Sequence, residues 1–327
     1  MKVIASSGRD DIAVVYIGKM RGKHLVEFTE SVQPPIPREK KWVLIISSLF
    51  GCPVGCSFCD GGITYKGKLS VEEIFAQIDF PIKKRFPDRN IPVEKFKVQF
   101  ARVGEPALNP AVIEALSGLP NRYKAPGLLP CVSTIAPRGS DTFFGKLLDV
   151  RKNVYKGKDF QLQFSIHTTD EDLRNKLIPV KKWDLGKISE YGEVFFEKGY
   201  RKITLNFALA NDTPVEPSIL LKNFDPDKFL IKITPVNPTY KALKNKIYSF
   251  IESDNGKQSR SLIKNLKSAG YQVITSIGIL EENNIGSNCG QYIQTHLSEE
   301  GNLKDGYTYA VKKLEREEFL TTKDTAR

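Results

Sequence analysis

Seven runs rich in β-branched and aromatic residues alternate with six amphipathic runs between residues 42 and 277. The strand-like runs lie at 42–48, 96–101, 130–134, 160–167, 201–208, 229–235 and 271–277. The helix-like runs lie at 70–80, 110–118, 140–149, 184–198, 216–223 and 257–269. A parallel neighbour cannot be reached by a tight turn, so this alternation implies βα units and a parallel sheet. Six such repeats fit a partial barrel of α/β class, and a doubly wound open sheet has the same periodicity. In both, chemistry gathers at the C-terminal ends of the strands and in the loops after them.

The flanks read differently. Residues 11–17 and 23–29 are short strand-like runs on either side of Gly18 to Gly22, a small N-terminal β-hairpin. Gln33-Pro34-Pro35-Ile36-Pro37 follows and can be neither helix nor central strand. Residues 281–327 return to a polar composition. Three segments result: a hairpin extension with its Pro-rich link over 1–40, the barrel over 41–280 and a C-terminal segment over 281–327.

Composition narrows the class. With 327 residues, 19 Phe and 12 Tyr, the chain can bury a large core and is not disordered. No run of about eighteen apolar residues exists, so no transmembrane helix is expected. Met1-Lys2-Val3-Ile4-Ala5-Ser6 lacks a secretory apolar region. Five cysteines, an odd number, do not suggest a disulfide scaffold; a reduced, cytoplasmic protein is expected. The net charge of +11 favours acidic partners, nucleic acid first, although a merely solvated basic surface has the same composition.

The most informative stretch follows the first barrel strand. Cys52, Cys56 and Cys59 stand at i, i+4 and i+7 in a loop containing Gly51, Pro53 and Gly55. Thiolates are soft ligands that select zinc or iron–sulfur centres. Structural zinc wants four ligands, and no fourth Cys or His lies nearby. A buried apolar cysteine group is a further reading. A [4Fe–4S] cluster held by three cysteines leaves one iron open to a substrate or cofactor, and three ligands favour that reading.

Other polar residues fall at predicted strand ends. Gly104-Glu105-Pro106 follows the strand at 96–101, where Glu105 either accepts from an ammonium group or charges a helix N-terminus. Val132-Ser133-Thr134 and Ser165-Ile166-His167 suit a ribose or a carboxylate, or are strand-end caps and a structural histidine. Asn237, before Pro238, is a turn residue or a nucleoside contact.

The cysteine spacing, with Phe58 just before the last Cys, resembles the signature of the radical S-adenosylmethionine (SAM) superfamily. Together with Leu108-Asn109, Leu173-Arg174, Ile178-Pro179-Val180, Ile233 to Pro238 and Asn288-Cys289-Gly290-Gln291, the strand-end blocks resemble its RlmN/Cfr-type methyltransferase branch. The order holds from about residue 11 to 295. The resemblance implies a partial (β/α)6 barrel, with Cys52, Cys56 and Cys59 holding a [4Fe–4S] cluster. It further implies SAM contacts from Gly104, Glu105, Ser133, Ser165, His167 and Asn237. One SAM would methylate Cys289. A second, cleaved by one electron from the cluster, would yield the radical that activates that methyl for addition to an sp² carbon, as in an adenosine of RNA. Glu27, in the hairpin, matches the position of a proton acceptor. A flavodoxin or ferredoxin would supply the electron, and no membrane would be involved.

Three departures accompany the resemblance. Ile45 stands where the family has a second cysteine that releases product. Only about ten residues precede the hairpin, where an accessory RNA-binding domain is expected. Ala101-Arg102-Val103 precedes Gly104, and Gly61 to Lys68 replaces an arginine-containing stretch. These touch substrate recognition and product release, and they leave an alternative open: a radical SAM enzyme that abstracts hydrogen from another small molecule or peptide without a methyl-cysteine step. A rival from another class is a nucleic-acid-binding protein with a structural metal site and no catalysis.

Overall fold

The computed structural model describes residues 1–62, 65–250, 257–276, 280–287 and 308–319. The chain opens with three antiparallel strands, β1 (Lys2–Arg9), β2 (Ala13–Lys19) and β3 (Leu25–Ser31). The expected hairpin corresponds to β2 and β3, with β1 added on its outer side. After the Pro-rich link come β4 (Trp42–Ile46) and a two-residue pair, β5 (Leu49–Phe50) with β6 (Gly67–Lys68).

The alternating region then runs α1 (Val71–Arg85), β7 (Phe96–Phe100), α2 (Ala111–Arg122), β8 (Leu128–Thr134), α3 (Asp141–Asn153) and β9 (Gln161–Ser165). Next come α4 (Glu171–Leu177), α5 (Leu185–Phe195), β10 (Ile203–Leu209), α6 (Pro217–Asn223) and β11 (Phe229–Pro235). The last described elements are α7 (Tyr240–Lys244), α8 (Lys257–Ser268), β12 (Val273–Thr275), α9 (Leu280–Ile285) and β13 (Lys312–Phe319).

Seven strands, β4 and β7 to β12, pair in parallel and in chain order. Six helical crossovers join them, as the alternation requires, and among the described residues the sheet stays open. β3 continues it antiparallel to β4, with Thr29 opposite Ile45, and β1 ends the extension against β13. The described part of the extension, the barrel strands and β13 therefore form one sheet of eleven strands.

Alternation along the strands sorts its two faces. Leu44, Ile46, Phe96, Val98, Phe100, Phe164, Leu205, Phe207 and Ile231 are buried in the main core, which also takes in the helices. The opposite face presents Lys97, Gln99, Ser133, Gln163, Ser165, Asn206 and Lys232, several of them half-exposed. That face is the polar one.

Several boundaries differ from the periodicity for visible reasons. The run at 42–48 ends as strand at Ile46, because the Ser47 N–H turns to Gln77 Oε1 at 2.9 Å. The run at 160–167 ends at Ser165: His167 has φ +69°, and its N–H and that of Ile166 both go to the Asn206 carbonyl. α1 passes through Pro81 to Arg85, whose guanidinium donates to the buried Glu30 and to Asp10. That fork anchors the last turn despite the proline.

Candidate functional site

The cysteine loop leaves β4 through Ser47 and Ser48. Gly51 and Gly55 have φ of +78° and +70°, a region open to glycine, and this turns the chain back twice within five residues. Gly62 packs so closely on Gly55 that a side chain on Gly62 would sit 2.8 Å from the Gly55 Cα.

The loop is pinned from two later parts of the chain. Ser57 donates its N–H to Leu177 O at 2.9 Å and its hydroxyl to Lys176 O at 2.8 Å, both at the end of α4. From the loop after β11, Thr239 Oγ1 donates to Phe58 O at 2.8 Å. Asp60 accepts from the Tyr240 and Lys241 N–H groups at 3.0 and 2.7 Å, and Lys241 Nζ donates to Gly55 O at 2.7 Å. Burial raises the Asp60 carboxyl, and the two backbone N–H groups oppose that rise. Asn237 lies in the same anchoring segment, half-exposed, two residues before Thr239.

Cys52, Cys56 and Cys59 are half-exposed and unbridged. Burial pushes the Cys52 thiol up to about 11 and the Cys56 thiol up to about 12, so without a metal both stay protonated. Among the described residues the three do not converge as a metal-holding group. The donor chemistry still suits an iron–sulfur cluster: three soft ligands on one glycine-hinged loop. Gly61 marks the close approach, since a Cβ there would lie 3.4 Å from Cys59 Sγ and 4.0 Å from Cys52 Cβ. Cys131 in β8 is fully buried, whereas the three loop cysteines are half-exposed, with Cys52 and Cys56 also packed against Val54, Ile135, Leu177 and Ile178.

Glu105 lies beside this loop, fully buried. Its Oε1 accepts from Ala107 N at 2.9 Å and from Thr134 Oγ1, and its Oε2 accepts from Ile135 N at 2.9 Å. It caps the 3-10 turn Pro106–Leu108 and ties that turn to the end of β8. Burial, the dominant influence, raises its carboxyl to about 7 against those three donors. Gly104, just before it, has φ +101°; a Cβ there would meet Leu49 Cβ at 2.6 Å.

His167 is also buried. Its ring stands edge-on to Phe58 with centroids 5.0 Å apart, which brings the end of β9 against the cysteine loop. Its Nδ1 accepts from the Ala208 N–H at 3.1 Å. Burial lowers its pKa to about 3, with the nearby Arg174 charge adding to the effect. The imidazole is therefore neutral near pH 7, and Nε2 carries the proton. Ser133 Oγ is 3.3 Å from Gln99 Nε2, and Ser165 is half-exposed on the same face.

Glu27 sits apart from that group, on β3. It is not an exposed strand carboxylate: it is fully buried and ion-paired to Arg102, Nε to Oε1 at 2.9 Å. Cys289 lies outside the described residues. Sequence reasoning passed over Asp60, Lys241, Thr239 and the Gly286 and Ser287 carbonyls that Arg102 holds. Each acts across a long stretch of chain, and only Asp60, next to Cys59, had a positional hint.

No family model matches the chain. Curated relatives do. It is 27% identical over 267 residues to the dual-specificity RNA methyltransferase RlmN of Marinomonas sp., spanning 79% of this chain and 67% of that protein. It is 28% identical over 229 residues to the RlmN of Aliarcobacter butzleri, spanning 65% and 59%.

The chain is similar to RlmN over most of its length.

The RlmN likeness is strongest over a shorter stretch: 33% identity over 145 residues to a probable RlmN of Prochlorococcus marinus, 44% of this chain and 39% of that one. The chain spans about three fifths to two thirds of the length of the first relatives it matches. Among solved structures, a radical SAM methyltransferase from Sphaerobacter thermophilus superposes with a TM-score of 0.66 at 17% identity, over 88% of this chain and 80% of that one. At that identity the match establishes a shared fold: an open, mixed α/β sheet with a large parallel part.

Proposed function

We propose that the chain is a radical SAM methyltransferase acting on an sp² carbon, an RNA adenosine or a related substrate, with Cys289 as methyl carrier. The observation that carries the reading is the glycine-hinged loop bearing Cys52, Cys56 and Cys59 at the C-terminal end of β4, in a chain similar to RlmN.

Cys52, Cys56 and Cys59 would hold a [4Fe–4S] cluster, which when bound supplies the electron that opens SAM to radical chemistry. The surrounding residues bind and orient. Glu105 already takes three donors, and a carboxylate has about four acceptor directions, so one remains for an ammonium group. His167 offers an Nε2–H donor, and Ser133 and Ser165 offer hydroxyls on one polar face, suited to a carboxylate or ribose. Asn237 and Gly104 complete the set at the ends of β11 and β7.

The polar face of the sheet and the net charge of +11 support an anionic substrate such as RNA. A flavodoxin or ferredoxin is the proposed electron donor. No helix of the described residues is long and apolar enough to cross a membrane, and three thiols kept for a cluster suit a reducing cytoplasm. Segments 1–40, 41–280 and 281–327 are the proposed extension, barrel and carrier segment.

The test is anaerobic incubation of iron-reconstituted protein with SAM and a reductant, followed by measurement of 5′-deoxyadenosine. Steady release that disappears in Cys56→Ala is expected. Iron-loaded protein that releases none contradicts the reading.

A further inference from the structure

Arg102 spreads its guanidinium over three groups from two distant parts of the chain. Nε donates to Glu27 Oε1 at 2.9 Å, Nη2 donates to Gly286 O at 2.9 Å, and Nη1 donates to Ser287 O. The Arg102 and Glu27 side chains are both fully shielded from solvent. Gly286 and Ser287 follow α9, whose last carbonyls have no partner within the helix. A planar fork with five donors can satisfy two carbonyls and a carboxylate together, whereas an ammonium has a single donor atom to place among them.

The same residue is locked from its own side. Arg102 N donates to Ile46 O at 3.0 Å. Its neighbour Val103 donates its N–H to Ser47 Oγ at 3.2 Å, and Ser47 Oγ donates to the Glu27 carbonyl at 2.6 Å. The end of β4, the start of the Gly104-Glu105 turn and β3 are thus knotted at one buried point. The backbone two and three residues ahead of Cys289 is hung from that knot. Two residues of chain reach at most about 7 Å, so whatever fixes Ser287 limits where the Cys289 thiol can go.

We propose that Arg102 is a positioning residue: it uses Glu27 as its counter-ion and holds the Gly286-Ser287 backbone, two residues ahead of Cys289 in sequence, at the start of the Gly104-Glu105 turn. In this arrangement the Glu27 carboxylate is an anchor for the guanidinium, and its task is to keep that charge buried and aimed. Arg102 belongs to the Ala101-Arg102-Val103 stretch that departs from the family pattern. The role for Cys289 rests on the methyl-carrier reading above; the hold on Gly286 and Ser287 does not.

The test uses the full chain and Arg102→Lys, which keeps a buried positive charge beside Glu27 but loses the fork. Hydrogen exchange in the peptide covering 281–290 is expected to rise at least tenfold, with β7 and β8 peptides unchanged. The alkylation rate of Cys289 by iodoacetamide is expected to rise with it. In the reconstituted enzyme, the maximal rate of Cys289 methylation is expected to fall at least tenfold at unchanged KM for SAM. A variant destabilised only in general would exchange faster throughout, and that result overturns the proposal. So does wild-type protection of 281–290 in Arg102→Lys. Raised exchange with an unchanged methylation rate overturns the positioning role. Raised exchange in a protein whose wild-type Cys289 is never methylated leaves the clamp standing and removes the carrier reading. Arg102→Gln provides the same comparison with the charge removed.

Discussion

The Glu105 carboxylate and the Ile135 backbone are joined directly: Ile135 N–H donates to Oε2 at 2.9 Å, while Oε1 takes Ala107 N–H and the Thr134 hydroxyl. One buried side chain links the turn after β7 to the turn after β8. Glu105→Gln replaces an acceptor oxygen with an NH₂ group and sets donor against donor. A loss of about 2–3 kcal/mol is expected, measured as a lower denaturation midpoint at unchanged slope. A loss below about half a kcal/mol would show that these bonds do not hold the two turns together.

Gly104 is fixed by backbone and space together. At φ +101°, with Leu49 Cβ 2.6 Å and Leu49 N 2.8 Å from any added Cβ, Gly104→Ala has no conformation free of strain. It is expected to cost about 2–4 kcal/mol and to weaken SAM binding, because the turn carrying Glu105 must shift. Calorimetric titration with SAM on the reconstituted variant checks the second part. Wild-type affinity would separate the turn from the cofactor.

His167 gives a pH dependence whose sign is fixed. Its folded pKa of about 3 lies below the ordinary 6.5, so the folded state favours the neutral ring. The stability this contributes is complete above pH 6.5 and is lost as pH falls toward 3. By pH 5 the loss is about 2 kcal/mol relative to pH 8. His167→Gln lacks this titration. The difference in unfolding free energy between wild type and variant should therefore shrink by about that amount between pH 8 and pH 5. A pH-independent difference would contradict a buried neutral imidazole.

The cysteine loop predicts a metal stoichiometry. Reconstituted wild-type protein should carry about four iron and four sulfide per chain. Cys52→Ser, Cys56→Ser and Cys59→Ser should each lose most of both, whereas Cys131→Ser, in the core of β8, should keep them. Iron retained by all three loop variants would move the cluster elsewhere.

What could be read from the sequence is what is local. Residues 42–277 show their parallel strands because each run carries its own period, and the cysteine spacing is complete within eight residues. α4 escaped notice because seven residues are too few for a periodic signal, although Asp170 caps it through Leu173 N–H at 2.7 Å. β13 escaped because its pairing with β1 joins distant parts of the chain, whereas β1 pairs locally with β2 and its own alternation was passed over. The site divides in the same way. Cys52, Glu105 and His167 sit in recognisable blocks. Thr239 reaches Phe58 across 181 positions, and Arg102 reaches Ser287 across 185, and no local pattern encodes such a pairing. Glu27 is buried against Arg102, 75 positions away, and that could not be read from the alternation of β3.

The central claim is that Cys289 carries the methyl group. Its most direct test is peptide mass analysis of the anaerobically reconstituted protein after incubation with SAM and a reductant. The account predicts one added methyl group on the Cys289 peptide, absent in Cys289→Ala and in Cys56→Ala. Release of 5′-deoxyadenosine with Cys289 unmodified would contradict it, and would make the chain a radical enzyme that abstracts hydrogen without a methyl carrier.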